Sequence, residues 1–415
     1  MKIVSVSPGC RLINIETSKF KDVTVNLRFN FPLTKENIVF SNLCAGIITD
    51  QCAAYPNKAC FSRQLDQLYG AVYFAGTVLR GAVGSLSVVA RVVNGRFIGE
   101  DILNKQLATL KEVVLRPVTT GDMFSPSLFA EAQNNLLAAL ARDKDRPNYY
   151  AYQQAIKIYG VDYPLALNGG GTEAGILEAD NNEVYRWYKE LCASADLEMI
   201  VIGDTDEKAL LEFLDDFNQT KRAASLPFCY KKPAGPYQQA SESGKIDQSQ
   251  LLMFYHHPLN SDDPAYYQSA VACTLFGQIP TSLLFKEVRE KRSLCYSVYS
   301  RLFPYENTMM VATGIDKANI ESTSELIEEL RQEVAKGNFA DELVDMAKDM
   351  LINSYTTAAD EPEGYVNEAL RRLHVDDRQS TEEVIERIKA VSKVEVMACF
   401  AKLKLETVFS YQQED

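Results

Sequence analysis

Residues able to do chemistry are sparse in this 415-residue chain. It holds three histidines (His256, His257 and His374), nine cysteines, and one dense run of charged and aromatic residues, FGQIPTSLLFKEVREKRSLCYSVYSRL, from Phe276 to Leu302. Within that run Arg289 stands seven residues ahead of Tyr296. A guanidinium is a permanent cation with directed donors, and a phenol can donate a hydrogen bond without ionising near neutral pH. A surface helix arginine and a half-buried strand tyrosine would account for the same two residues on burial preference alone. The histidines make a poor metal clamp. His256 and His257 are neighbours in a predicted strand and leave on opposite faces, and His374 reads as a surface side chain beside Asp376 and Asp377.

Other constellations carry less. Gly169, Gly171 and Ala174 satisfy the spacing of a dinucleotide fingerprint, but the loop follows Tyr163-Pro164-Leu165-Ala166 and no early βαβ unit surrounds it. There is no phosphate-binding P-loop and no GxSxG elbow. Cys44, Cys52 and Cys60 recur every eight residues with no histidine nearby, so a Cys–His nucleophile cannot be assembled locally. The nine cysteines contain no CxxC pair and read as small apolar filler in a reducing compartment. Asp360, Glu361 and Glu363 mark a solvated helix break.

The elements that must position Arg289 and Tyr296 are a helix and a strand. Gly277 and Pro280 break the chain, Thr281 or Ser282 can cap, and Leu283 to Arg292 has helical periodicity with Leu284 and Val288 on one face. From Leu294 the pattern alternates, setting Leu294, Tyr296 and Val298 against Cys295, Ser297 and Tyr299.

Upstream, strands are predicted at 2–16 and 22–31, with Val23, Val25, Leu27 and Phe29 on one face. A helix capped by Thr34 follows to about Asp50, then another from Phe61 to Tyr69 stopped by Gly70, and strands at 71–79 and 83–93. Helices are expected at 98–114, 126–142, 148–159, 181–192 and 206–217, with a strand at 197–202. Residues 218–247 lose periodicity and gather Pro, Gly, Ser and Lys, which reads as a linker. A strand at 248–257 follows, and Pro258-Leu259-Asn260 is expected to open a helix.

The second half repeats the first. Pro32-Leu33 corresponds to Pro258-Leu259, and Gly70-Ala71-Val72-Tyr73 to Ser293-Leu294-Cys295-Tyr296, at nearly one offset. The expected fold is α+β: two homologous domains, 1–217 and 248–415, joined by 218–247, each an antiparallel sheet with helices on one face. The formal charge of −13 argues against a nucleic-acid partner, and neutral or basic peptides suit it better. No apolar run is long enough to span a bilayer, and the segment MKIVSVSPGCRLINIET has no long apolar core, so a cytoplasmic protein is expected.

The run from Ser282 resembles the C-terminal-half signature of the pitrilysin/insulinase superfamily, the M16 metallopeptidases. Ser282, Leu284, Phe285, Arg289, Glu290, Lys291, Arg292, Leu294, Tyr296 and Ser297 match it, while Ser293 stands where Gly is usual. The resemblance implies two homologous domains enclosing a chamber like a clamshell. It also implies an HxxEH zinc motif on the first helix, with a downstream glutamate as third ligand. In this sequence that motif falls over Asn42-Leu43-Cys44-Ala45-Gly46. The ligand and base positions are degenerate at Asn42, Ala45 and Gly46, no histidine occurs in the first half, and a lone carboxylate such as Glu131 cannot hold zinc. The resemblance assigns Arg289 and Tyr296 to gripping a substrate carbonyl and supporting its oxyanion. It thus implies a bacterial non-catalytic subunit, inactive alone, paired as a heterodimer (or as a homodimer) with an HxxEH-bearing chain that supplies the zinc for peptide processing. A catalytically silent scaffold or peptide-binding protein, as in the core subunits of respiratory complexes, and a metal-independent peptidase are the alternatives.

Overall fold

A computed structural model describes residues 1–375 and 380–414. Asp376 and Asp377, invoked above beside His374, lie outside the described residues. The chain divides into two compact units, one of residues 1–141, 167–227 and 365–369, the other of 142–166, 228–364 and 370 onward.

The first unit is built on β1 (Lys2–Ser7), β2 (Cys10–Glu16), β3 (Asp22–Pro32), β4 (Val72–Arg80) and β5 (Val83–Val93). A short ribbon, β6 (Thr119–Thr120) with β7 (Met123–Phe124), stands apart, and β8 (Asp196–Gly203) completes the main sheet in the order β1-β2-β8-β3-β5-β4. Helices α1 (Lys35–Ile48), α2 (Lys58–Gln67), α3 (Ile102–Leu115) and α4 (Pro126–Lys144) belong to the first part of the chain. Next come α5 (Pro147–Tyr159), α6 (Glu173–Glu178), α7 (Asn181–Ser194) and α8 (Glu207–Asp215). Thr34 caps α1 as expected, its hydroxyl accepting from the Asn37 N–H at 3.1 Å.

Alternation along β3 separates two environments. Val23, Val25, Leu27 and Phe29 join the apolar core under the helices. Thr24, Asn26, Arg28 and Asn30 are also buried, on the other face, in a polar layer. Ser87 donates to Asn26 at 2.8 Å, Ser85 to Asn30 at 2.7 Å, Asn30 to Asp196 at 2.9 Å, and Arg11 pairs with Asp196 and Glu198.

The second unit holds β9 (Gln238–Gly244), β10 (Ser249–His256), β11 (Cys295–Phe303), β12 (Thr308–Ile315) and β13 (Lys404–Gln413), ordered β11-β12-β10-β13-β9. The later helices of the chain are α9 (Tyr266–Gly277), α10 (Ile320–Lys336), α11 (Glu342–Ala358), α12 (Pro362–His374), α13 (Thr381–Ala390) and α14 (Lys393–Lys402).

The duplication read from sequence is present in the strand order. The run β2-β8-β3-β5-β4 matches β9-β13-β10-β12-β11 place for place. Even the parallel pairings coincide, β2 with β8 and β9 with β13, the remaining pairs being antiparallel. The α+β class therefore holds, with sheets that are mixed rather than wholly antiparallel.

Three local expectations change. The helix expected from Pro258 starts only at Tyr266, because His257 Nδ1 takes the Leu259 N–H at 3.1 Å and holds the chain in a turn. Helix α5 packs Ala151, Ala155, Ile156 and Tyr159 on Leu252, Phe254 and Phe409, covering the second sheet on the face opposite its main core. The stretch 218–247 contains β9 and is held by buried groups. Arg222 donates to the carbonyls of Ala195 at 2.6 Å and Cys192 at 2.7 Å, Phe228 is buried, and Lys232 pairs with Glu406.

Candidate functional site

The joint between α9 and β11 carries Arg289 and Tyr296. Ser282 is buried and its hydroxyl accepts from the Phe285 N–H, so Ser282 is the cap. From Phe285 to Glu290 the chain winds as a π-helix, the Lys291 N–H reaching the Lys286 carbonyl at 3.0 Å. Single-turn π-helices cost hydrogen-bond geometry and recur at functional sites. Leu284 and Val288 point inward. Lys291 and Arg292 both bind Glu287, at 2.7 and 3.1 Å. Partial burial raises the Glu287 carboxyl, yet the hydrogen bonds from Lys291 and Arg292 outweigh it and hold the group below the ordinary carboxylate range. Arg289 makes no ion pair with a described residue; its guanidinium lies 4.5 Å over the Phe285 ring.

Three residues past the π turn stands Ser293, whose φ of +51° is left-handed. Its N–H donates to the Arg289 carbonyl at 3.1 Å, and the Leu294 N–H donates to Val288 at 3.0 Å. The corresponding Gly70 in the first unit has φ +75°. A left-handed joint thus recurs in both halves, which explains why glycine suits the position. Two residues later the ladder slips. Cys295 faces Ile315 and Ser297 faces Gly314, which leaves Tyr296 as the extra residue of a β-bulge. Simple alternation put Tyr296 on the face of Val298, but the bulge re-aims it. Val298 is 6% exposed and Tyr296 82%. Arg289 and Tyr296 are both exposed, on either side of Ser293.

The remaining candidates are structural. Asn42 donates to the Ile38 carbonyl at 2.8 Å and to Gly169 at 2.9 Å, tying α1 to the 168–172 loop. The glycine loop therefore packs on a helix. Ala45 lies in the core, and a Cβ placed on Gly46 would sit 3.4 Å from that of Ala132, so α4 approaches where a ligand side chain would stand. Glu131 is held by Lys58 at 2.9 Å, which also reaches Asp50 at 3.3 Å. This donor set does not fit zinc, and among the described residues no group of three His, Cys, Asp or Glu could hold a metal.

His256 Nε2 lies 3.1 Å from the Lys232 carbonyl and from Asn307 Nδ2, and burial lowers its pKa. His257 is 2% exposed, and burial pushes its pKa down to about 4. His374, read as a surface side chain, is half-buried with its ring stacked on Phe228.

Sequence reasoning passed over a cavity of about 340 Å³ in the second unit. Asn148, Asp247, Gln248, Gln250, Ser297 and Tyr299 line it. The available signal was Gly314 within the strand TMMVATGI, since a glycine inside a strand often marks a close approach.

Residues 179–351 match the family described as "Peptidase M16 inactive domain". A relative from Bacillus subtilis (strain 168), "Probable inactive metalloprotease YmfF", is 24% identical over 400 residues, covering 95% of this chain and 94% of its own. Among solved structures, a conserved protein from Enterococcus faecalis V583 superposes with a TM-score of 0.94 at 26% identity, covering all of this chain and 98% of its own. The M16 inactive domain from Pseudomonas fluorescens superposes at 0.80 with 18% identity over 100% and 98%, which shows the shared fold. The REKR run at Arg289 falls within the matched residues 179–351, so over that stretch the chain is similar to M16 peptidases, through the domain described there as inactive.

Proposed function

We propose that this chain is the non-catalytic subunit of a two-chain M16 peptidase acting in the cytoplasm. In this reading Arg289 and Tyr296 serve the active site of an HxxEH-bearing partner, which carries the zinc. The observation that supports it most is the cluster of irregularities at one joint: a π turn, a left-handed serine and a β-bulge within twelve residues. A left-handed residue other than glycine costs of order 1–2 kcal/mol, and π turns and β-bulges recur next to functional sites. Together they turn a cation and a phenol outward, where an apolar strand face would otherwise bury the tyrosine. Such a pair can hold a peptide carbonyl and support its oxygen as it gains charge.

The test is reconstitution with an HxxEH-bearing chain followed by peptide hydrolysis. Tyr296→Phe and Arg289→Ala should leave folding and partner binding intact and lower turnover by roughly 10²–10³, the usual cost of one oxyanion donor. Full activity in both variants hands the chain to the scaffold reading. Hydrolysis by the isolated chain hands it to a metal-independent route.

A further inference from the structure

The cavity beside β11 lies on the sheet face that α5 covers, next to the N-terminal end of that helix at Pro147 and Asn148. Across the sheet Gln250, Gly314 and Ser297 stand in one row, Gly314 pairing with both. The missing side chain of Gly314 makes room for the two amides on the floor: a Cβ there would lie 2.5 Å from Gln248 Oε1 and 3.4 Å from Gln250 Nε2. Ser297 adjoins Tyr296 in the chain, so the cavity opens beside the bulge.

Its walls are rich in uncommitted hydrogen-bonding groups. The side chains of Asp247, Gln248, Ser297 and Tyr299 make no hydrogen bond to a described residue. Gln250 Nε2 reaches the Gln248 carbonyl at 3.2 Å, leaving its own oxygen open, and Asn148 spends its oxygen on the Tyr149 N–H. A primary amide offers a C=O and N–H groups side by side. It can therefore meet the N–H and C=O of an extended peptide and hydrogen-bond to both. Asp247 is the only charged residue among the lining, so like-charge repulsion works against acidic segments. The volume is at the small end of ligand pockets, about 300–1,000 Å³, which suits a short stretch of chain rather than a folded partner.

We propose that this cavity is a backbone-binding subsite for an extended, neutral or basic peptide segment, with Gln248 and Gln250 as its amide clamp and Gly314 as the position whose bare backbone lets the two amides lie on the floor. It rests on the reading of the chain as part of a peptidase, and places a flank of the substrate beside the bond gripped near Tyr296.

The probe is a fluorescein-labelled nine-residue peptide of repeating Ser-Ala-Lys, titrated into the full chain and followed by anisotropy. Saturable binding is expected. Gln250→Leu should weaken it roughly five- to tenfold, the loss of one or two neutral hydrogen bonds. Gly314→Val should weaken it at least as much by pushing the clamp amides out of place. Valine suits a strand and displaces only the flexible ends of Gln248 and Gln250, so the melting temperature should not fall and lost binding is not lost folding. The same peptide N-methylated along its backbone should fail to bind, and Asp247→Asn should narrow the preference for Ser-Ala-Lys over Ser-Ala-Glu repeats.

No saturable binding by the wild-type chain below about 1 mM, or wild-type affinity in both Gly314→Val and Gln250→Leu, overturns the subsite. Those outcomes are separable from failure of the subunit reading. Groove variants that lose the probe while Arg289→Ala and Tyr296→Phe keep full turnover in the reconstituted pair would leave the subsite standing and remove the division of labour.

Discussion

Replacing Glu406 with glutamine should loosen one side of the second sheet. Glu406 is 2% exposed on β13 and Lys232 is 7% exposed, with ammonium and carboxylate 2.6 Å apart. The Gly235 N–H donates to the other carboxylate oxygen, and the Lys232 ammonium lies 4.4 Å over the Tyr159 ring. Glutamine keeps an oxygen for Gly235, so what it removes is the counter-charge of a buried cation. Breaking a buried pair from one side costs about 3–5 kcal/mol. In a unit of this size each kcal/mol moves the melting temperature by about 2–4 °C, so the second unit should melt roughly 10 °C lower.

The single tryptophan, Trp187, packs on Phe31 and Phe40 in the first unit. Far-UV circular dichroism therefore has to report the shift, with tryptophan fluorescence as the reference for the other unit. The double exchange Lys232→Met with Glu406→Leu should recover most of the loss, because an apolar pair of similar volume replaces a buried ion pair at little cost. If Glu406→Gln unfolds within about 1 kcal/mol of wild type, or the double variant is worse than the single, the pair does not hold this stretch in place.

Ser293→Gly should raise stability by roughly 0.5–1 kcal/mol, the left-handed penalty relieved less the added chain entropy of glycine; a lower urea midpoint would contradict the φ of +51°. His257 should make stability fall with acid. Its folded pKa of about 4 lies below the unfolded 6.5, so the contribution is complete above pH 6.5 and lost as pH falls towards 4, about 3 kcal/mol in all. Urea midpoints at pH 7 and pH 4.5 should converge in His257→Gln relative to wild type. Metal analysis of the isolated chain purified without chelator should find no stoichiometric zinc, since Gly46, Ala132 and a Lys58-bound Glu131 offer no ligand set; near one zinc per chain would overturn that assignment.

Much of the architecture was legible because it rests on local pattern. The alternation of Val23, Val25, Leu27 and Phe29, the Thr34 cap and the matched Gly70 and Ser293 joints each depend on a few neighbouring residues. What escaped depends on partners distant in sequence. A bulge is a property of two strands, so the slip that turns Tyr296 outward is set by how Ile315 and Gly314 pair with β11. The seam of α5 on the second sheet rests on Phe254 and Phe409. The stretch 218–247 reads as loose because it is polar and rich in Pro and Gly, yet Arg222 and Lys232 hold it through carbonyls and a carboxylate supplied elsewhere.

The place of β8 in the first sheet bears on how the chain is made. It lies between β2 and β3, but is synthesised only after everything from Glu16 to Asp196 has emerged. At 5–20 residues per second that leaves β2 and β3 roughly ten seconds or more with an empty slot between them, each with an open row of backbone donors and acceptors. Such an interval invites pairing with the wrong strand. The polar layer offers a safeguard. Ser87 with Asn26 and Ser85 with Asn30 lock β3 to β5 in one register, and a slip would break both buried hydrogen bonds. Arg11 and Asn30 then wait for Asp196 and Glu198, so the arriving strand is recognised by charge as well as by shape.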